Sequence, residues 1–333
     1  MQKNNCVFFT FTSNFGIFAF EILKHDVYMD KHFLEFIGNI TLTTKQTEDA
    51  KTKYTGVCEK LHSFYYGGNY DAGKKYLFGS YKTKTNVRPL TSRQDVDVLF
   101  KIPQDTFDKY DAYESNGQAA LLQEVKDILK EKYTTTDGIK AWGKVVLVEF
   151  SEGHHNVELL PALEQEDGTF LIPNSENGGS WDSFDPRKEL DKFKVSNGAT
   201  NNLTRELAKM LKAWDHNTAT MNYKSCNRMD DIIAFLNDFY PTGKGEASYS
   251  KIVFDFFDYM KNDPNLDESL KTYINTAHGR ALKALEYENA DKSKDASLEW
   301  RKIFGTEFPE VKENPKREQS AQRIISPARP WSN

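Results

Sequence analysis

The sequence has no unbroken apolar run approaching the roughly 20 residues that cross a bilayer, so a membrane span is not expected. Cysteine is scarce: Cys6, Cys58 and Cys226 are far apart and odd in number. They have neither the density of a disulfide scaffold nor the spacing of a zinc site, and they fit a reducing cytoplasm, the location expected. A basic excess is also lacking. The chain carries 44 Lys and Arg against 49 Asp and Glu, a net charge of −5. A protein that coats nucleic acid needs a basic surface to displace counterions, so no stable nucleic-acid complex is expected. A small anion needs only a few well-placed cations, and that option stays open. No internal repeat is visible.

What is present is an ordinary globular composition over 333 residues, 38% of them hydrophobic, long enough for two lobes with separate cores. The first 28 residues stand apart. Val7 to Phe20 is Phe-rich but interrupted by Thr10, Thr12, Ser13, Asn14 and Gly16, and only Lys3 precedes it. A secretory signal would have a basic start and an unbroken apolar stretch, so 1–28 is expected to be an extension outside the fold.

From Met29 to Tyr66 the pattern is helical, with Phe33, Leu34, Phe36 and Ile37 on a short apolar face. Tyr54, Val57, Leu61 and Phe64 recur at helical spacing behind a capping box in Thr43 to Gln46. Tyr76-Leu77-Phe78 reads as a short strand ending at Gly79-Ser80. Asp95 to Phe100 alternates strictly, with Val96, Val98 and Phe100 opposite Asp95, Asp97 and Leu99. Leu121 to Tyr133 reads as a helix. Lys144 to Phe150 and Asn156 to Leu160 read as strands joined by a polar turn. Few strand–helix–strand crossovers occur, which predicts an α+β fold, a mixed sheet with helices.

Residues 165 to 200 are dense in Gly, Asn, Ser and Pro and read as loops. Beyond them lie three amphipathic stripes: Leu203 to Trp214, Tyr249 to Met260 and Leu270 to Leu285. The expected organisation is a catalytic lobe over 29–200, a helical bundle over 201–311 packed on it with the cleft between the two, and a polar tail over 312–333.

Asp95 and Asp97 are the first candidates for chemistry. Residues i and i+2 on a strand face the same way, roughly 6.5–7 Å apart, a separation that brackets a pair of metal ions. Alone, they would equally suit a solvated sheet face. Gly79-Ser80, 15 residues before Asp95, supplies a close backbone approach and a hydroxyl for phosphate. A third acid, Glu158, faces away from Val157 and Leu159, as a carboxylate completing the cluster from an adjacent strand would. Opposite the Leu203 to Trp214 stripe stand Arg205, Lys209 and Lys212, either a phosphate grip or a solvated basic face. His154-His155 could bind metal or act as a base, but a surface turn explains them better. Trp181, Trp214 and Trp300 read as core.

The order Gly-Ser, Asp-x-Asp, third acid resembles the polymerase-beta-like nucleotidyltransferases. Phe78 to Tyr81, Thr85 to Leu90, Asp95 to Leu99, Glu158 to Ala162, and the Trp300-to-Gly305 stretch followed by Phe308-Pro309 are similar to the bacterial cGAS/DncV-like nucleotidyltransferases (CD-NTases). The resemblance runs from about 29 to 310. It implies template-independent synthesis of a cyclic di- or trinucleotide from nucleoside triphosphates, ATP among them, in CBASS antiphage signalling. It further implies that Asp95, Asp97 and Glu158 hold magnesium or manganese, and that Gly79, Ser80, Lys212 and Ser225 hold the triphosphate. Glu158 departs from the aspartate commoner at that position, and its side chain is longer by about 1.5 Å. The partners implied are a downstream effector that detects the product and a regulatory CBASS protein. The chain ends Pro330-Trp331-Ser332-Asn333, without the small last residue expected of a tail that is conjugated to other proteins. The competing expectation is the same chemistry on an RNA or protein acceptor.

Overall fold

A computed structural model describes residues 29–91, 94–135, 138–151 and 153–312. The expected extension 1–28, with Cys6, and the tail beyond Lys312 lie outside the described residues. Ile37–Gly245 is one compact unit, and 29–36 with 246–312 are the described part of a second. This division differs from the expected lobes: the chain between 201 and 245 belongs with the catalytic sheet, and the boundary falls at Gly245.

Helix α1 covers 29–40, and in the larger unit its end, from Ile37 on, runs into an isolated bridge between Thr41 and Val87. Helix α2 (Thr44–Tyr65) starts at Thr43, whose side chain and that of Gln46 cap each other's backbone N–H groups. This is the reciprocal capping read from the sequence, worth about 1 kcal/mol. The sheet strands are β1 (Lys75–Leu77), β2 (Asp95–Lys101), β3 (Gly138–Trp142), β4 (Val145–Glu149) and β5 (Asn156–Glu164). They lie in the order β1-β2-β5-β4-β3. Strands β2 and β5 pair in parallel, and the other pairs are antiparallel.

Strict alternation in β2 sends Val96, Val98 and Phe100 to one face, where Val157 and Leu159 of β5 join them. That face packs on α2 and on α5 (Gly117–Lys132) through Val57, Leu61, Leu121 and Val125, all fully buried. Burying each such side chain contributes about 1.5–3 kcal/mol. On the opposite face, Leu99, Leu160 and Ala162 form a smaller cluster with Val145, Phe170 and Ile172. The acids of β2 and β5 share this second face, at its edge. Helix α3 (Gly79–Thr83) follows β1, and α4 (Gln104–Asp111) follows β2.

The segment read as loops is ordered. It contains β6 (Phe170–Asn174), β7 (Ser180–Phe184) and α6 (Pro186–Ala199). Strand β6 pairs with the end of β5 and with β7. Helix α6 begins with Asp185 accepting from Arg187 N and with Pro186 in the first turn, a start signal hidden among turn-forming residues. Helices α7 (Leu203–Asn217) and α8 (Ser225–Phe239) complete this unit.

The second unit contains α9 (Tyr249–Lys261), α10 (Glu268–Asn289) and α11 (Ser293–Phe304) with the first residues of α1. An aromatic cluster holds it. Phe33 meets Trp300 edge-on at 5.1 Å and Phe308 at 5.1 Å, and Phe36 meets Phe304 at 4.8 Å. Trp300 is fully buried and donates its Nε1–H to Glu288 at 2.7 Å, satisfying the one polar atom of the ring. Among the described residues no helix is long and apolar enough to cross a membrane.

Candidate active site

The parallel register of β2 and β5 sets Asp95 beside Asn156 and Asp97 beside Glu158. Neighbouring strands lie about 4.8 Å apart, so the two acids of the second pair project side by side from one face. Burial is the first cause that raises all three carboxyls. Asp97 reaches about 7, with Glu158 and Asp95 adding repulsion and the Lys212 ammonium opposing it. Asp95 and Glu158 are raised in the same direction. The Asp95 Oδ1 atom is buried with no hydrogen-bond partner. Three acids crowded at one place each favour a proton or a cation over a bare charge.

Strand β1 delivers the glycine. Leu77 pairs with Val98, and Phe78 N–H donates to Asp97 O at 3.3 Å. Gly79 follows with φ +63°, and a Cβ built there would come within 2.0 Å of Asp97 Oδ2. Only glycine fits this approach. Gly79-Ser80 opens α3 instead of closing a strand, because β1 ends two residues earlier at Leu77. The Thr83 hydroxyl donates to Gly79 O at 3.1 Å, and Thr85 N–H donates to Ser80 O at 2.9 Å, fixing the short helix.

Helix α7 lies against α3. Its Lys212 is 7% exposed and donates from Nζ to Ser80 Oγ at 3.2 Å. Burial, then the Arg228 charge, lowers its ammonium to about 8. Lys209 is also buried and donates to Thr41 Oγ1 at 2.9 Å, while Arg205 Nε donates to Thr83 O at 3.2 Å. The solvated-face reading of Lys209 and Lys212 is therefore replaced: both side chains are buried, with the Lys212 ammonium on Ser80 of α3 and the Lys209 ammonium on Thr41, just after α1.

Gly79, Ser80, Asp95, Asp97, Lys212 and Ser225 line one pocket of about 330 Å³, inside the Ile37–Gly245 unit. That size is at the lower end of small-molecule sites. The cleft expected between lobes is thus walled by the sheet edge, α3, α6, α7 and α8. Leu190 and Phe193 of α6 and Met229 and Ile232 of α8 add apolar surface to its lining. Glu158 stands beside Asp97 and is not on the pocket wall.

The donor set suits a hard divalent cation, which takes carboxylate oxygens and keeps other positions for water and phosphate. Among the described residues no three His, Cys, Asp or Glu side chains converge as a ready-made ligand set. The fit therefore rests on Asp95 and Asp97 at the pocket, on the unpartnered Asp95 Oδ1, and on Glu158 in register.

Three contributors escaped the sequence reading. Arg228 is a second buried cation at the pocket. Asn156 accepts from Phe150 N–H at 2.9 Å and, directly opposite Asp95, is the group that most offsets burial of that carboxyl. The sequence places His155 with His154 in a surface turn, which holds for His154 alone. His155 is fully buried against Tyr81, ring centroids 6.0 Å apart, with neither ring nitrogen bonded. The Trp readings fare better: Trp214 and Trp300 are core, while Trp181 is half-buried on Phe107 and bonds Asp111.

Residues 28–197 match the family described as Second Messenger Oligonucleotide or Dinucleotide Synthetase domain. The chain belongs to this family. It is a CD-NTase, a nucleotidyltransferase of the cyclic oligonucleotide synthase class, with the mixed sheet and helices that its motifs implied. A Bacillus cereus (strain VD146) protein described as a probable cyclic nucleotide synthase is 22% identical over 327 residues, covering 80% of this chain and 95% of the relative. The fold is shared with Escherichia coli MS115-1 CdnC solved with ATP (TM-score 0.57, 18% identity, 84% of this chain and 98% of that one). CdnC in complex with HORMA-deltaN aligns at 0.59 and 16% identity over the same shares. The cyclic AMP-GMP synthase DncV of Vibrio cholerae, solved with the linear intermediate pppA(3′,5′)pG, aligns at 0.57 and 12% identity over 88% of this chain and 90% of that one.

Proposed function

We propose that the α3–α7–α8 pocket takes a nucleoside triphosphate, ATP among those used, and that Asp95, Asp97 and Glu158 form the metal site at which its α-phosphate is attacked. The observation that carries this is the pairing of Asp97 with Glu158 directly beside Gly79 and the Ser80–Lys212 contact. Magnesium or manganese, when bound, would stabilise charge on the attacking and leaving oxygens of an in-line displacement.

The chain's own groups have the following parts. Gly79 brings backbone close to the acids without a side chain in the way. Ser80 accepts from Lys212, so its hydroxyl hydrogen is left to donate to a phosphate oxygen. Lys212 supplies positive charge where the triphosphate accumulates negative charge. Ser225, at the first position of α8 and on the pocket wall, offers a second hydroxyl. The apolar wall from α6 and α8 suits a base and excludes water from it. The hydroxyl of a second nucleotide attacks the α-phosphate and releases pyrophosphate. The linear product, after one further addition in the case of a trinucleotide, rebinds through its own triphosphate. It closes to a cyclic di- or trinucleotide when its terminal hydroxyl attacks that α-phosphate and releases another pyrophosphate. No template is needed.

Two partners follow from this reading. A downstream effector detects the product, and a regulatory protein of the kind that CdnC binds acts on the synthase. The roles of Asp95 and Asp97 are tested by the Asp95→Ala/Asp97→Ala double variant. We expect no product from a protein that still melts cooperatively. Substantial turnover by that variant would sink the assignment.

A further inference from the structure

Two cations are buried at this pocket, and each donates to a serine. Lys212 donates to Ser80 Oγ at 3.2 Å. Arg228, one turn beyond Ser225 on α8, donates from Nη2 to Ser225 Oγ at 3.3 Å. Its other arm is anchored: Nη1 meets Asp215 Oδ2 at 3.2 Å and Tyr223 O at 3.1 Å. The Arg228 side chain is 5% exposed and its guanidinium lies 5.6 Å from the Tyr223 ring centre. It is therefore held by three groups of the α7–α8 connection and its flanks, with one N–H edge turned to the pocket.

A serine hydroxyl has one hydrogen and two lone pairs. When a cation donates to the oxygen, the hydrogen turns elsewhere and the O–H bond is polarised. At Ser225 the hydroxyl stands on the pocket wall as a donor, matched with Ser80 across the same space. Two hydroxyls constrained alike by two buried cations make a surface that donates to anions. Arginine suits the task because its planar fork bonds the anchor and the serine at once, which a single ammonium does less well.

We propose that Arg228 is a positioning residue that fixes the Ser225 hydroxyl as a donor to the triphosphate. The proposal rests on the triphosphate reading of the pocket. Its competitor is a purely structural arginine, present only to neutralise buried Asp215.

The test uses the full chain and calorimetric binding of ATP, GTP, CTP and UTP, each beside its nucleoside, for the parent protein, Ser225→Ala, Arg228→Lys and the double variant. Arg228→Lys keeps a charge beside Asp215 and loses the fork. We expect each single variant to weaken triphosphate binding by about tenfold, the size of a lost hydrogen bond to a charged group, with nucleoside binding unchanged. The double variant should bind no more weakly than the singles, because both remove one contact. Full additivity, or triphosphate binding by Arg228→Lys equal to the parent's, would overturn the role. Should Arg228→Lys melt early, Arg228→Gln with Asp215→Asn removes the buried ion pair whole, and unchanged triphosphate binding by that pair would also overturn it. A parent protein that binds no triphosphate removes the underlying reading itself, and the Arg228 role with it.

Discussion

Asp97 on β2 stands opposite Glu158 on β5, and their shared burial makes Asp97 hold its proton up to about 7 against an ordinary 3.8. A folded-state value above the unfolded one means that the native protein binds more protons between about 4 and 7. Stability therefore falls as pH rises through that window, and the full cost persists above it. Asp97→Asn removes the charge while keeping the shape. At pH 8 we expect the variant to be more stable by on the order of 1–3 kcal/mol, with its advantage gone near pH 4, and to make no product. Thermal melts of both proteins across pH 4–8 check this. A variant less stable than the parent at pH 8 would contradict it.

The same carboxyl and Lys212 bound the activity profile. Asp97 must be ionised to hold a cation, and Lys212, lowered to about 8, must be charged to grip phosphate. We expect kcat/KM to rise through about 7 and to fall above about 8. Raising magnesium or manganese should move the acid limb to lower pH, because a bound cation favours the ionised carboxylate. Lys212→Met should lose the alkaline limb along with most triphosphate affinity. A flat profile from pH 6 to 9 would count against both assignments.

Gly79 couples the phosphate loop to the acids. Its φ of +63° costs an ordinary residue about 1–2 kcal/mol, and an added Cβ would overlap Asp97 Oδ2. Gly79→Ala should therefore displace Asp97 and reduce turnover by about 100-fold or more, a loss of at least about 2.7 kcal/mol at the transition state. Steady-state kinetics beside a melt separates this from unfolding. Near-parent turnover would show that the close approach is dispensable.

Asn156 allows a finer test. Asn156→Asp keeps the acceptor for Phe150 N–H but replaces the amide opposite Asp95 with a second carboxylate. If the residue only closed the turn between β4 and β5, activity would survive. We expect it to fall by about 10- to 100-fold, as when a partner that orients a metal ligand is lost. Parent-like kinetics would assign Asn156 to the turn alone.

Acid should act oppositely through His155. Burial lowers its imidazole to about 4, so the folded protein resists protonation and its contribution to stability is lost as pH falls from 6.5 toward 4. His155→Phe should flatten that part of the stability curve. An unchanged curve would mean that the ring takes up protons freely.

The local signals in the sequence carried furthest. The capping box at Thr43, the alternation of Asp95 to Phe100 and the stripe from Leu203 to Trp214 are each written within a few residues, and each matches an element. So is the Gly-Ser to Asp-x-Asp order that led to the pocket. What failed depends on contacts between distant segments. Strands β6 and β7 are short, and β7 has no fully buried residue, so turn-forming residues hid both them and the cap of α6. His155 is buried against Tyr81, more than seventy positions away. Arg228 gains meaning only when α8 brings it to Asp215 and Ser225. Helices α7 and α8 read as part of a separate bundle because amphipathic spacing marks an apolar face and not the partner that covers it.

The most direct measurement is product identification. Purified protein is incubated with magnesium or manganese and all four α-labelled nucleoside triphosphates, treated with phosphatase, and the surviving label is analysed by mass spectrometry. The expected result is a phosphatase-resistant cyclic di- or trinucleotide that disappears in the Asp95→Ala/Asp97→Ala variant. Label found on protein or on an RNA end, with no cyclic product, would contradict the account.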